Sequence, residues 1–210
     1  MIDIIDTNKP FFLKNARDCD VKFSWKECEE AINRSVFLKN LQLIDPAGSK
    51  APIKNIDNYW YNNSYDINHI AELLNKNHAF ILTQMSCYNK SLNYFCHKVD
   101  QRFNSSSDVH IYGGMSGSGS FNVHVDIPHN IIIQLEGKCH WTIYDEKYEI
   151  DRVDQSKLTP VVDCLMEPGD VLFIPSKQAH LCIPLGKRLS ASIPFIPNSS
   201  ERLMRGWINL

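Results

Sequence analysis

Apolar residues recur at helical spacing in the first half of the chain and in short alternating runs in the second. Ser24-Trp25-Lys26-Glu27 carries the residues of a capping box, which predicts a short helix from Trp25 to about Asn33. Ile67, Ile70 and Leu74 repeat with helical period from Asp66 onward. Leu92, Phe95, Val99 and Phe103 do the same over Lys90–Phe103, so both stretches read as amphipathic helices. Strands are expected at Leu41–Ile44 and Ala51–Ile53, flanking the turn residues Asp45-Pro46-Ala47-Gly48, and again at Ala79–Gln84. After Ser105-Ser106-Ser107 the helical period disappears. Short strands are then expected at 109–112, 121–126, 130–136, 139–145, 160–166, 171–175, 179–184 and 188–195. Such a series with turn signals between its members predicts a mainly β chain, a jelly roll or related double sheet, with helices flanking it on the N-terminal side. Ser199–Leu210 reads as one terminal helix.

Neither a repeat nor a linker interrupts this pattern, and 210 residues suit one domain with a full core. The expected organisation is a single domain over 1–210: a mixed helical and β part (1–104), a β core (105–197) and a terminal helix (198–210). A formal net charge of −2 and a pI near 6.4 offer no basic surface to a nucleic acid or a membrane, so neither partner is expected. No apolar run reaches membrane-spanning length, and the acidic start M-I-D-I-I-D lacks the basic region of a signal peptide. Seven cysteines, an odd number without CxxC spacing, argue for free thiols in a reducing cytosol, hence a cytoplasmic location.

Candidate chemistry concentrates in Phe121–Trp141 (F-N-V-H-V-D-I-P-H-N-I-I-I-Q-L-E-G-K-C-H-W). On a strand, His124 and Asp126 share one face while Val123 and Val125 take the other. One imidazole and one carboxylate side by side make two-thirds of a facial metal site. His180 is the candidate for the third ligand. It follows Met166-Glu167-Pro168-Gly169-Asp170 and the apolar run Val171–Ile174, so a tight turn, a strand and Pro175 would deliver it beside the first pair. Two histidines and one carboxylate leave positions open on ferrous iron, whereas catalytic zinc prefers a tetrahedron with a single open position. His129 and His140 are nearby but suit hydrogen bonding or substrate contact. His69, His78, His97 and His110 read as ordinary surface or core residues. The glycine-rich Gly113–Ser120 run lacks the Gly-Lys-Ser/Thr ending of a phosphate loop and reads as a flexible lead-in.

With those residues in view, His110–Asp145 resembles the catalytic core of the JmjC-type, cupin-fold oxygenases, most of all the ribosomal-oxygenase branch. Tyr112, the small-residue loop, Phe121, His124-x-Asp126, Gln134-Leu135-Glu136-Gly137 and Trp141 carry the resemblance. Lys9-Pro10-Phe11-Phe12, Trp25 and the Ile67–Gln84 unit extend it over most of the chain. The resemblance implies a double-stranded β-helix, Fe(II) held by His124, Asp126 and His180, 2-oxoglutarate as chelating co-substrate and dioxygen as oxidant. No sequence follows Leu210 for that family's C-terminal dimerisation and winged-helix regions, so a stand-alone catalytic domain is expected.

In that family a basic residue thirteen positions after the aspartate ligand pairs with the distal carboxylate of 2-oxoglutarate; here the count lands on Cys139. Two replacements are open. Lys138 is adjacent but on the opposite strand face unless a bulge intervenes. Arg188 stands in Arg188-Leu189-Ser190, which resembles the Arg-x-Ser of other 2-oxoglutarate oxygenases, with Ser190 as an added hydroxyl donor. By the same resemblance Asn130 would contact the co-substrate and Tyr112 would line its pocket. The expected activity is hydroxylation of a C–H bond in a protein or peptide side chain or an amino acid. A cupin metalloenzyme that does not use 2-oxoglutarate, prompted by Cys139, and a non-catalytic binding module are the alternatives. The particular substrate and the oligomeric state are left open by the sequence.

Overall fold

The computed structural model describes residues 2–16, 19, 21–57, 60, 63–117, 120–147 and 157–197, so the expected helix at 198–210 lies outside the described residues. In chain order the elements are β1 (Phe11–Leu13), α1 (Trp25–Leu38), β2 (Leu41–Ile44), β3 (Lys50–Ala51), β4 (Asn55–Ile56), β5 (Ser64–Tyr65), α2 (Ile67–Asn75) and β6 (Ala79–Leu82). They continue with α3 (Lys90–Phe103), β7 (Ser105–Ser107), β8 (His110–Gly114), β9 (His129–Glu136), β10 (Cys139–Lys147), β11 (Pro160–Met166), β12 (Val171–Ile174), β13 (Gln178–Pro184) and β14 (Arg188–Pro197). The expected mainly β jelly roll with N-terminal helices is what the chain forms.

Local chemistry accounts for the helices. Glu27 N–H donates to Ser24 Oγ at 3.4 Å and Ser24 N–H donates to Glu27 Oε2 at 2.7 Å, closing the capping box of α1. That helix runs past the expected Asn33 because Ser35 is buried, Val36 packs on the core, and no glycine or proline intervenes before Lys39 turns left-handed at φ 54°. Asp66 caps α2 through Asn68 and His69, and Asn89 caps α3 through Leu92.

Two antiparallel sheets make the sandwich. Among the described residues the larger runs β1-β12-β9-β14-β8-β6-β2-β3, with β7 also pairing β14, and the smaller runs β11-β10-β13. Strands from the N-terminal part therefore extend the large sheet, including β1, paired with β12, which its short sequence did not announce. The large sheet is buried on both faces. Ile131, Ile133, Val171, Phe173, Leu189, Ala191, Ile193 and Phe195 pack under Cys28, Ile70, Leu92, Phe95 and Val99 of the helices. Ile132, Leu172 and Ile174 face the other way, against Cys139, Trp141, Ile143, Cys164, Met166 and Cys182 of the small sheet. Gly113 is required where β8 crosses this core, since a Cβ there would lie 2.2 Å from the Phe80 ring.

One expectation is corrected. Residues 121–126 form no ladder strand; only His124 makes an isolated antiparallel bridge, to His180. His124 N–H donates to His180 O at 3.2 Å and His180 N–H to His124 O at 2.9 Å. Pro128 removes a donor two residues beyond Asp126, and past the bridge the segment is held by single bonds from the 176–177 turn, such as Lys177 N–H to Asp126 O at 2.7 Å. His124 and Asp126 nonetheless face the same pocket.

Candidate metal centre and its pocket

The bridge and the β12–β13 turn set the centre. Gly169, at φ +92°, makes the turn before β12. The buried Asp170 carboxylate then locks it, accepting from Glu167 N–H at 2.9 Å and Asn15 N–H at 2.8 Å. Strand β12 leads through Pro175 to β13, where His180 lies opposite His124 with ring centroids 4.3 Å apart. His124, Asp126 and His180 each present one ligand atom, and these atoms lie within 4.8 Å of one another. His180 Nε2 is 3.7 Å from Asp126 Oδ2. His124 Nδ1 is 2.7 Å from Asn122 O and His180 Nδ1 is 2.9 Å from Gln178 O. A carbonyl only accepts, so each Nδ1 carries the proton and each Nε2 offers its lone pair to the centre. Burial, reinforced by the neighbouring His124 and opposed by Asp126 and the Gln178 carbonyl, lowers His180 to about 4. It is therefore neutral near pH 7, the state a metal requires. The donor set fits a ferrous ion: two imidazoles and one carboxylate on one side.

A pocket opens beside these residues between the sheets, and strand alternation decides its lining. On β14, Leu189, Ala191 and Ile193 turn to the helix-facing core while Arg188, Ser190 and Ser192 turn inward. On β9, Asn130 and Ile132 turn inward likewise. Tyr112 from β8 and Trp141 from β10 complete the inner lining, with Trp141 stacked on His180 at 6.1 Å. Ile44, Ala79, Ile81 and Phe121 supply an apolar wall.

Arg188 is the unusual member. It is only 4% exposed, its Nε lacks a hydrogen-bond partner, and among the described residues no carboxylate forms an ion pair with it. A buried guanidinium without an anion is costly, and one that lines a pocket is built for an anionic ligand. Nearby, Cys139 accepts a hydrogen bond from the Cys182 thiol; against the cost of burial, that bond and the Arg188 charge bring Cys139 down to about 7. Cys182 is pushed up by the same pairing and by burial. Burial and the Asp126 charge raise the Tyr112 phenol, with Arg188 opposing, so Tyr112 stays a hydroxyl donor.

Seven of the eight residues singled out from the sequence line this pocket: Tyr112, His124, Asp126, Asn130, His180, Arg188 and Ser190. Lys138 is not brought in. It follows the β9–β10 turn on the outer face, half exposed, with Nζ 2.5 Å from Glu167 Oε1. Ser190 is present but not as a free donor, because its hydroxyl donates to Gln134 Oε1 at 2.9 Å. Asn130 likewise turns its amide to Asp126. His129 is stacked between Phe173 and Phe195 and accepts from Ser176 N–H, while His140 pairs with Asp163, so neither lines the pocket. Sequence reasoning missed Ser192, although the alternation Arg-Leu-Ser-Ala-Ser contained it. It also missed the Ile44, Ala79 and Ile81 wall, which only the large sheet's extension by β6 and β2 brings near.

Comparison with known proteins follows the same lines. A family model described as the JmjC domain matches residues 82–203. The bifunctional lysine-specific demethylase and histidyl-hydroxylase NO66 of Drosophila persimilis is 29% identical over 104 residues, covering 47% of this chain and 15% of that protein. The crystal structure of the Escherichia coli ribosomal oxygenase YcfD superposes with a TM-score of 0.67 at 19% identity, covering 95% of this chain and 51% of that one. YcfD in complex with cobalt and 2-oxoglutarate gives 0.63 at 18%, with the same coverage. These structures share the fold. The chain spans about half the length of YcfD and a smaller share of NO66.

Proposed function

This chain belongs to the JmjC-domain family, and from that membership we propose that it is an Fe(II)- and 2-oxoglutarate-dependent hydroxylase acting on a C–H bond of a protein or peptide side chain or of an amino acid. The observation that carries the proposal is the buried Arg188 guanidinium, without a carboxylate partner among the described residues, in the same pocket as His124, Asp126 and His180. Relatives named as a histidyl-hydroxylase and as ribosomal oxygenases support a protein substrate, and the YcfD complex supports the co-substrate. A cytosolic location is part of the reading, supported by the seven free thiols.

His124 and His180 would bind the metal through Nε2, and Asp126 through a carboxylate oxygen. Iron(II) with 2-oxoglutarate and dioxygen supplies the oxidation that places a hydroxyl on an unactivated carbon. The chain's own contribution is placement and exclusion. Arg188 would pair with the distal carboxylate of the co-substrate, and the protonated Tyr112 phenol would add a donor. Ile44, Ile81, Phe121 and Trp141 keep bulk water from the reacting face. Cys139 prompted the alternative of a cupin that does without 2-oxoglutarate; Arg188 removes the reason for it by offering the cation from β14.

Anaerobic Fe(II) titration with and without 2-oxoglutarate tests the proposal through the weak visible charge-transfer band of the chelate. Wild type is expected to show the band and His124→Ala to lack it. Tight iron binding without a band on adding 2-oxoglutarate overturns the reading.

A further inference from the structure

We propose that Asn130, held in turn by Ser192, is a positioning residue that keeps Asp126 a one-oxygen ligand and thereby preserves the open position that dioxygen needs. The inference rests on the oxygenase reading above. Asn130 Nδ2 donates to Asp126 Oδ2 at 2.8 Å, and Asn130 Oδ1 accepts from Ser192 Oγ at 3.2 Å. Asn130 and Ser192 are 3% and 6% exposed. The direction of the relay follows from the groups themselves. An ionised carboxylate only accepts, so the amide must turn its NH2 toward Asp126, which leaves its carbonyl for the serine hydroxyl. The flipped amide would set oxygen against oxygen at one end and leave a buried donor with only a hydroxyl oxygen to take it.

Asp126 needs such a clamp. Its segment has no ladder partner, and its side chain is 42% exposed, so neither backbone nor packing fixes the carboxylate rotation. Asn130 can fix it, because β9 is paired on both sides there, with Ile174 of β12 and Pro194 of β14. The clamped Oδ2 is the oxygen 3.7 Å from His180 Nε2. Turning the carboxylate to present both oxygens would break the bond to Asn130. If each of the three residues gave one atom, a six-position ferrous centre would keep three positions, enough for a chelating co-substrate and for dioxygen. A second oxygen from Asp126 would take the third. The family resemblance assigns Asn130 to the co-substrate; the geometry gives it to the metal ligand.

The test uses Asn130→Leu, nearly isosteric but without a donor, and Ser192→Ala, each titrated with Co(II) in the absence of co-substrate. The visible Co(II) spectrum reports coordination, which a purely structural role would leave alone. Asn130→Leu is expected to change the Co(II) spectrum and to shift Co(II) affinity by about 10-fold or more. Ser192→Ala should change both in the same direction and less. If Asn130→Leu keeps wild-type Co(II) affinity and spectrum while losing only 2-oxoglutarate affinity, the inference is overturned and Asn130 is a co-substrate ligand. Should Asn130→Leu fail to fold, an unchanged Co(II) spectrum in Ser192→Ala overturns it instead. Failure of the oxygenase reading looks different: wild type itself binds metal and gives no 2-oxoglutarate band.

Discussion

Replacing Arg188 by methionine should stabilise the metal-free protein and abolish co-substrate binding in one step. Methionine keeps the length and the apolar stem of the side chain while removing the charge and the unpartnered Nε. A buried donor without a partner costs about 1–3 kcal/mol, and replacing buried ionic groups by packed apolar ones has gained roughly 1–4 kcal/mol elsewhere. The Cys139 thiol, near 7, would offset part of this once ionised, so the comparison belongs at pH 6. There the variant should gain about 2 kcal/mol, which for a chain of this size raises Tm by about 4–8 °C.

The ligand response should invert. Wild type with metal and 2-oxoglutarate at about 100 Kd gains about 2.7 kcal/mol from binding. Losing a desolvated charge pair costs about 2–5 kcal/mol, roughly 30- to 5,000-fold in affinity, so the variant should keep less than about 1 kcal/mol of that gain at the same concentration. Scanning calorimetry of both proteins, anaerobic, with and without metal and co-substrate, reads the two effects together. A variant that is less stable than wild type in the metal-free state would refute the claim that Arg188 is an unsatisfied cation. A variant that keeps the 2-oxoglutarate shift would refute its role as anchor.

Two further outcomes follow from the same geometry. Lys138→Ala removes a half-exposed ion pair with Glu167, so stability should change by less than about 1 kcal/mol and the 2-oxoglutarate Kd by no more than about twofold; a tenfold loss would return Lys138 to the site. In metal-free protein His180, lowered to about 4, refuses a proton that the unfolded chain accepts below about 6.5, so its stability is complete above that pH and is lost as pH falls toward 4. The loss is on the order of 3 kcal/mol at the lower end, and urea midpoints of wild type against His180→Gln across that window should diverge; parallel curves would contradict it.

Much of the fold was legible because its signals are local. The α3 boundaries, Lys90 to Phe103, follow from the Asn89 cap and the apolar repeat, and seven of the eight expected β-core strands fall where alternation and turn residues put them. The triad was legible too, since two residues sit side by side in sequence and the Pro-Gly-Asp turn pointed to the third. What stayed hidden depends on partners distant in sequence. Val123 and Val125 gave 121–126 the composition of a strand, but a ladder needs neighbours, and only His180 pairs there. Asn130 and Ser190 were rightly expected at the pocket. Their hydrogen bonds could not be read, because Asp126, Ser192 and Gln134, which take them, lie on an irregular segment and on two strands distant in sequence.

The exchange between positions 139 and 188 shows why a site of this kind tolerates an altered motif. A long cation at 139 would enter the sandwich from β10, across from Ser190 and Gln134, both of which are within hydrogen-bonding reach of the Cys139 thiol. Two buried cations around one small pocket would repel each other with little water to screen them. A short thiol at 139 leaves that space to Arg188, which reaches it from β14 with its backbone paired to Gly114 of β8. What the proposed chemistry requires is one positive charge in the pocket, not a particular strand to supply it. On the proposed reading β14 carries both Ser192, which holds Asn130, and Arg188, the cation for the co-substrate. Because β14 is a rigid central strand of the large sheet, the distance between those two functions is set by the fold itself.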